Sequence, residues 1–176
     1  MSRIKKIIRN VVIIVVLSLF TMNRLGLYFT PLSAHENSER SINYGPSKVI
    51  HIEDFEKGKY ILGKYDKWVS CNTVNRVLLF LWGAGDQPTG FENDKTKAVS
   101  YSGSYSNQFI KAYGIVNDKN IKKIEVTLSN GDILSQTNFY EDLFLLTWES
   151  KENRSVSIEA IRGYDSENNQ VFKEEY

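Results

Sequence analysis

The chain has 176 residues, with 22 Lys or Arg, 21 Asp or Glu and a single Cys. That length fits one domain, and three prolines, 11 glycines and 41% hydrophobic residues exclude a collagen-like or disordered chain. One cysteine excludes an internal disulfide framework and any multi-cysteine metal site. The net charge of +1 is the sum of two unlike pieces. Residues 1–34 hold five basic residues (Arg3, Lys5, Lys6, Arg9, Arg24) and no acid, a charge of +5. The rest holds 17 basic residues and all 21 acids, a charge of −4.

The basic piece has the order of a membrane-insertion signal. A basic tip, residues 1–10, precedes the apolar or small run Val11–Met22. Positive charge ahead of such a run favours a cytoplasmic N-terminus and sends the following chain outward. A spanning helix needs about 20 predominantly apolar residues. The run reaches that length only when extended to residues 7–29, which admits Arg9, Asn10, Asn23 and Arg24. The two arginines would lie near the interfaces, where long basic side chains snorkel. Tyr28 and Phe29 would sit at the outer headgroups. Three outcomes stay open: an uncleaved single-pass transmembrane helix, which is the first expectation; a signal peptide cut after Leu32-Ser33-Ala34, a triplet that half fits a small-x-small site; and a buried soluble helix. No cysteine follows the run, so lipidation there is excluded. The roughly ten residues left inside by an anchor are too few for a domain.

Residues 30–46, with Pro31, Gly45 and Pro46, read as a stalk. Residues 47–176 read as one extracytoplasmic β domain. Lys48–Glu53, Lys59–Lys64 and Trp68–Cys71 are strand candidates. Arg76–Trp82 is apolar on both faces; periodicity leaves strand and helix open, and its shortness before Gly83 and Gly85 favours strand. A polar loop with Pro88 and Gly90 follows over 86–97. Ile121–Leu128 alternates with period two, placing Ile124, Val126 and Leu128 on one face. Asn130-Gly131 then predicts a type I′ hairpin turn, with Ile133–Phe139 returning. One helical turn is expected over Phe139–Phe144, then strands Leu145–Glu149 and Ser155–Ile161, a turn at Asp165–Asn169 and a closing strand Gln170–Lys173. The whole predicts a mainly β protein, an antiparallel β-sandwich after the N-terminal helix.

Tyr113–Phe172 carries a further pattern: Gly114, Val116 and Asp118 open a strand, Ile121, Ile124 and Val126 alternate before Gly131, and Val156, Ile158 and Ala160 lead to a turn at Asp165. This stretch of about sixty residues resembles bacterial immunoglobulin-like sandwich modules. The resemblance implies a binding or spacer role, not catalysis.

Chemistry-bearing residues are sparse. Cys71 and His51 could form a nucleophile–base pair, since such partners meet in space; the bland alternative is a small core cysteine. His35 falls in the stalk. Asp165–Asn169 clusters oxygen ligands but lacks the Gly and bidentate Glu of an EF-hand loop. Glu141-Asp142, Glu174-Glu175 and Glu53-Asp54 are adjacent pairs, whose side chains diverge in a strand. Neither a G-x-S-x-G motif, a P-loop nor a dinucleotide fingerprint occurs, so no cofactor and no metal are expected. Trp68, Trp82 and Trp148 suit a core. Tyr101 and Tyr105, spaced by small polar residues, fit one face of a strand or a recognition surface. An acidic exported domain disfavours nucleic acid. The expected function is therefore a membrane-anchored, non-enzymatic binding module at a bacterial cell envelope, its partner another envelope protein or a cell-wall polymer. The alternatives are an extracytoplasmic hydrolase using Cys71 and His51, or carboxylates of the 86–94 loop, and an accessory subunit of a membrane complex.

Overall fold

The structure is a computed structural model that describes residues 3–86, 89–106, 109–149 and 156–176, without the side chains of Asn23, Tyr105, Ser106 and Phe109. Two helices open the chain with a short strand between them: α1 (Arg3–Arg24), β1 (Leu27–Tyr28) and α2 (Pro31–Ser41). Strands then follow almost without interruption: β2 (Lys48–Phe55), β3 (Gly58–Tyr65), β4 (Trp68–Leu78), β5 (Leu81–Ala84), β6 (Phe91–Glu92), β7 (Val99–Ser106), β8 (Phe109–Val116), β9 (Lys123–Leu128), β10 (Ile133–Gln136), β11 (Leu143–Glu149), β12 (Ile158–Tyr164) and β13 (Gln170–Glu175). The protein is mainly β. One sheet has the order β1-β5-β4-β3-β2 with β6 also on β4, a second β10-β9-β12-β13 and a third β11-β8-β7. The chain divides into two compact units, 1–46 with 52–61 and 72–89, and 47–51 with 62–71 and 90–176. Strands β2, β3 and β4 supply residues to both.

In the first unit, α1 carries Arg3, Lys5, Lys6 and Arg9 in its opening turns and the apolar run after them. Among the described residues no helix is long and apolar enough to cross a membrane. Val11–Met22 as a helix is only about 18 Å long, against a hydrocarbon core of about 30 Å. The expected span over 7–29 is corrected in a second respect: the helix stops at Arg24, and Leu27–Tyr28 pair with Gly83 and Trp82 as strand β1. The expected stalk also carries structure. Thr30 caps α2, its hydroxyl accepting from the Ser33 amide at 3.1 Å, and Pro31 follows at the first helical turn, where its missing N–H is harmless. Ala34, His35, Ser38 and Glu39 are buried on one face of α2. The segment 76–82, expected as one strand, is instead an antiparallel hairpin: β4 runs to Leu78, Leu79-Phe80 form the loop, and Leu81 pairs with Leu78.

In the second unit, a cluster of buried side chains joins the two smaller sheets. It takes Val99, Ile110, Ala112 and Val116 from β7 and β8, Phe144 and Leu146 from β11, and Ile124, Val126, Leu128, Ile158 and Ile161 from β9 and β12. Burying each of its Val, Leu, Ile and Phe side chains contributes about 1.5–3 kcal/mol. The alternation in β9 is what directs it: Ile124, Val126 and Leu128 are buried, their neighbours only partly. Gly114 sits at a close approach, since a Cβ there would come within 2.5 Å of the Ser100 carbonyl oxygen and 2.6 Å of the Phe144 ring. Gly114 and Val116 close strand β8 where the sequence pattern had them opening one. The β9–β10 hairpin forms, but only Gly131 takes a positive φ (88°), with its amide on the Leu128 carbonyl at 2.8 Å. Its turn is therefore wider than type I′, which needs two such residues. The expected helical turn at 139–144 is a tight reversal at Glu141 (φ 59°), with Tyr140 bridging to Leu143.

Candidate functional site

The catalytic alternative rests on Cys71 and His51. Cys71 is fully buried. Its backbone carbonyl accepts from Lys111 Nζ at 2.6 Å, and Lys111 is itself 1% exposed. A thiol without exposure meets no substrate unless the strand opens. The His51 ring stacks on Tyr140, centroids 3.5 Å apart. The carboxylates of the 86–94 loop are engaged separately. Glu92 pairs with Lys67 at 2.8 Å, and Asp94 accepts from the Thr96 amide and hydroxyl, which holds its carboxyl below the usual range. Pro88 of that loop lies outside the described residues.

The other carboxylate candidates behave alike. Asp165 accepts from the amides of Glu167 and Asn169, each at 2.8 Å, and from the Asn169 side chain at 3.0 Å, again lowering its pKa. Both oxygens thus fold their own turn. Glu141 and Asp142 meet Lys48 and Lys64. Among the described residues no three His, Cys, Asp or Glu side chains gather in a way that could hold a metal ion.

His35, expected in a stalk, instead lies in a buried polar network between α2 and β4. Asn72 Nδ2 donates to His35 Nδ1 at 2.9 Å and to Ser38 Oγ at 2.6 Å, and Ser38 Oγ donates to the His35 carbonyl at 2.7 Å. With Nδ1 accepting, the ring proton sits on Nε2, which faces Glu39 Oε1 at 3.4 Å. Burial lowers the His35 pKa, opposed by the nearby carboxylates of Glu39 and Glu36. His35, Ser38, Glu39 and Asn72 are each at most 4% exposed. The arrangement resembles an oriented catalytic histidine in its bonding but offers no access, so its role is to fix α2 on the sheet. Sequence reasoning missed Ser38, Glu39, Asn72 and Lys111. The available signal was Thr30-Pro31, a helix start that would have put i, i+3 and i+4 residues on one face.

Of the aromatic candidates, Tyr101 hydrogen-bonds through its hydroxyl to that of Tyr176, the rings edge to face at 6.5 Å. Burial and Tyr176 raise the Tyr101 pKa. Tyr105 lies on the same strand, and its side chain is outside the described set. Trp82 is buried, whereas Trp68 and Trp148 are half-buried.

What stands out is apolar surface. Every large apolar side chain from Ile4 to Phe20 on α1 is 48–69% exposed. A helix that is apolar all round is ordinarily buried in a core or in lipid. The shallow groove lined by Ile14, Leu17, Ser18, Thr21 and Met22 belongs to this one helix; two hydroxyls line it, and that of Thr21 donates to the Leu17 carbonyl at 2.8 Å. Comparison with known proteins finds no matching family model, no matching curated protein and no matching solved structure.

Proposed function

We propose that the chain is a non-enzymatic binding module held at a membrane by α1, with its β portion outside the cytoplasm and another envelope protein or a cell-wall polymer as its partner. The observation that carries this reading is the exposure of α1. Bare apolar surface of that extent is unfavourable in water at about 25 cal/mol per Å2, and lipid removes that penalty. The basic residues Arg3, Lys5, Lys6 and Arg9 precede it, the order that keeps the N-terminus inside. Arg9 and Arg24, at the two ends of the apolar run, can snorkel to headgroups and extend the reach of a short apolar segment.

An uncleaved anchor is favoured over a cleaved signal. A cut after Ala34 would strip β1 from the sheet edge, remove the Thr30 cap and split α2 at a fully buried residue.

For the β portion we propose an immunoglobulin-type sandwich over 99–175. Support comes from strand order. The first, second and fifth strands (β7, β8, β11) form one sheet and the others form the second, with one core drawn from both. Immunoglobulin constant domains divide their seven strands in the same way except for the fourth, which here is β10 and pairs with β9. The Tyr101–Tyr176 pair marks a candidate recognition surface, with two phenol rings at its edge.

Cross-linking in intact cells, followed by identification of what is joined to the full chain, tests the binding reading. Envelope proteins or wall fragments are the expected products. Adducts drawn only from cytoplasmic proteins would overturn it.

A further inference from the structure

The β4–β5 hairpin breaks the usual chemistry of its loop. Two-residue hairpin loops favour Asn, Gly and Asp, which tolerate the backbone geometry and face water. Here the loop is Leu79-Phe80, flanked by Val77 and Leu78, and the four side chains are 50, 58, 91 and 62% exposed in the order Val77, Leu78, Leu79, Phe80. Departures from local rules without a compensating packing gain concentrate at functional sites.

The surroundings of this apex say what could cover it. The Arg76 amide donates to the Lys57 carbonyl at 2.8 Å, so the neighbouring β2–β3 turn ends level with Arg76. Val77–Phe80 therefore project beyond the adjacent turn, by about 7 Å at the usual rise per residue. Directly behind the apex, Arg76 pairs across the ladder with Trp82. The Arg76 guanidinium lies 5.0 Å and Lys59 Nζ 5.9 Å from the Trp82 ring centroid. Of the acids in that turn region, Asp54 is bound by Lys59, and Glu56 shares the turn with Lys57. Tyr28 pairs with Trp82, and the antiparallel direction of β1 carries the exposed Phe29 toward the same apex.

Along the hairpin an apolar tip is thus followed by one level at which Arg76 and Lys59 lie against the buried Trp82 ring. Apolar side chains backed by cations match a bilayer interface, where acyl chains give way to phosphate. The tip is convex and small. Its four side chains offer on the order of 60–120 Å2 each, a few hundred in all, against the roughly 800 Å2 that each partner of a stable protein interface buries. Lipid needs no such complementary area.

We propose that the β4–β5 apex is a second membrane contact, with Val77–Phe80 inserted into the interface of the outward leaflet and Arg76 and Lys59 at headgroup level. It rests on the reading that α1 places the chain at a membrane. The contact would fix how the first unit sits on the bilayer surface.

The test uses the full chain in phosphatidylcholine/phosphatidylglycerol vesicles, with an environment-sensitive fluorophore on one introduced cysteine at a time. Cys71 is fully buried, and the unsubstituted chain supplies its background. Leu79→Cys reads the apex, Phe80→Cys repeats it, Val15→Cys reads the anchor and Asn130→Cys gives a water-facing reference. The expected result is a blue shift at Leu79→Cys and Phe80→Cys, several-fold weaker quenching by aqueous iodide than at Asn130→Cys, and stronger quenching by nitroxide near the headgroups than deep in the chains. Val15→Cys should respond most to the deep nitroxide. If Val15→Cys reads deep while both apex labels quench like the reference, the apex contact is overturned and the anchor stands. If Val15→Cys itself reads aqueous, the anchor reading fails, whatever the apex shows. Disulfide-linked dimers through Leu79→Cys, formed equally with and without vesicles, would replace lipid by a second copy of the chain and overturn the proposal.

Discussion

Helix α1 and strand β9 are built from the same residue types and treat them in opposite ways. In β9, Ile124, Val126 and Leu128 are at most 1% exposed, and polar neighbours alternate with them. In α1, Ile, Val and Leu occupy every side of the helix and none of the large ones is less than 48% exposed. Hydrophobicity alone therefore does not assign a segment to a core. What decides is whether the polar positions recur with the period of the element, because only then does one face have water and the other a partner. The strand has that period and belongs to the fold. Over Val11–Leu17 the helix lacks it, which is why we propose lipid as its second solvent.

The comparison can be broken most severely by truncation. Phe144→Ala empties a fully buried site and is expected to lower unfolding stability by about 3–5 kcal/mol. Leu17→Ala on α1 should change it by no more than about 0.5 kcal/mol. Denaturant unfolding in mild detergent checks both, and equal losses would mean that α1 is packed against protein. The converse substitution acts on the other solvent. Ile14→Arg should disfavour insertion by about 2.5–3.5 kcal/mol and move the chain out of alkali-resistant membranes, with the β portion still folded.

Smaller effects sharpen the account of the first unit. Asn72→Ala removes the donor to both His35 and Ser38 and should cost about 1–3 kcal/mol. His35 adds a pH dependence. Its folded pKa is lowered by burial, so the unfolded chain binds the proton more readily. The stabilisation is complete above the ordinary value of 6.5 and declines as pH falls from there toward the folded value. Unfolding midpoints at neutral and mildly acidic pH should differ in the native chain, and His35→Gln should flatten that part of the slope. The smallest effect belongs to Tyr101→Phe, which loses one hydroxyl bond at the surface and should cost less than about 1 kcal/mol in a thermal melt.

Much of the strand content was legible because β9 follows period two and Asn130-Gly131 ends it in a turn, whereas β12 breaks that period at a bulge that buries Ala160 and Ile161 together. The hairpin at 76–82 was not, since an unbroken apolar run carries no marker of where a chain reverses when Leu79-Phe80 stand in for turn residues. Helix α2 was hidden by its polar composition. Its face is buried by a hydrogen-bonded network, and hydropathy cannot register a His and a Ser that go inside because Asn72 waits for them, with Glu39 facing the same His. Lys111 was hidden by the same blindness: it sits in a strand buried on both sides and finds the Cys71 carbonyl. The candidate site was legible only as the charge split. A segment of +5 before an apolar run announced α1, whereas the apex behind Arg76 required knowing that Lys57 ends level with it.

The most direct test of the central claim is alkaline extraction of membranes from cells expressing the full chain with a C-terminal tag, combined with protease added outside intact cells. The account expects the full-length product in the alkali-resistant pellet, with the tag removed by external protease. A full-length product in the soluble fraction, or a product in the medium shortened to begin after Ala34, would contradict it.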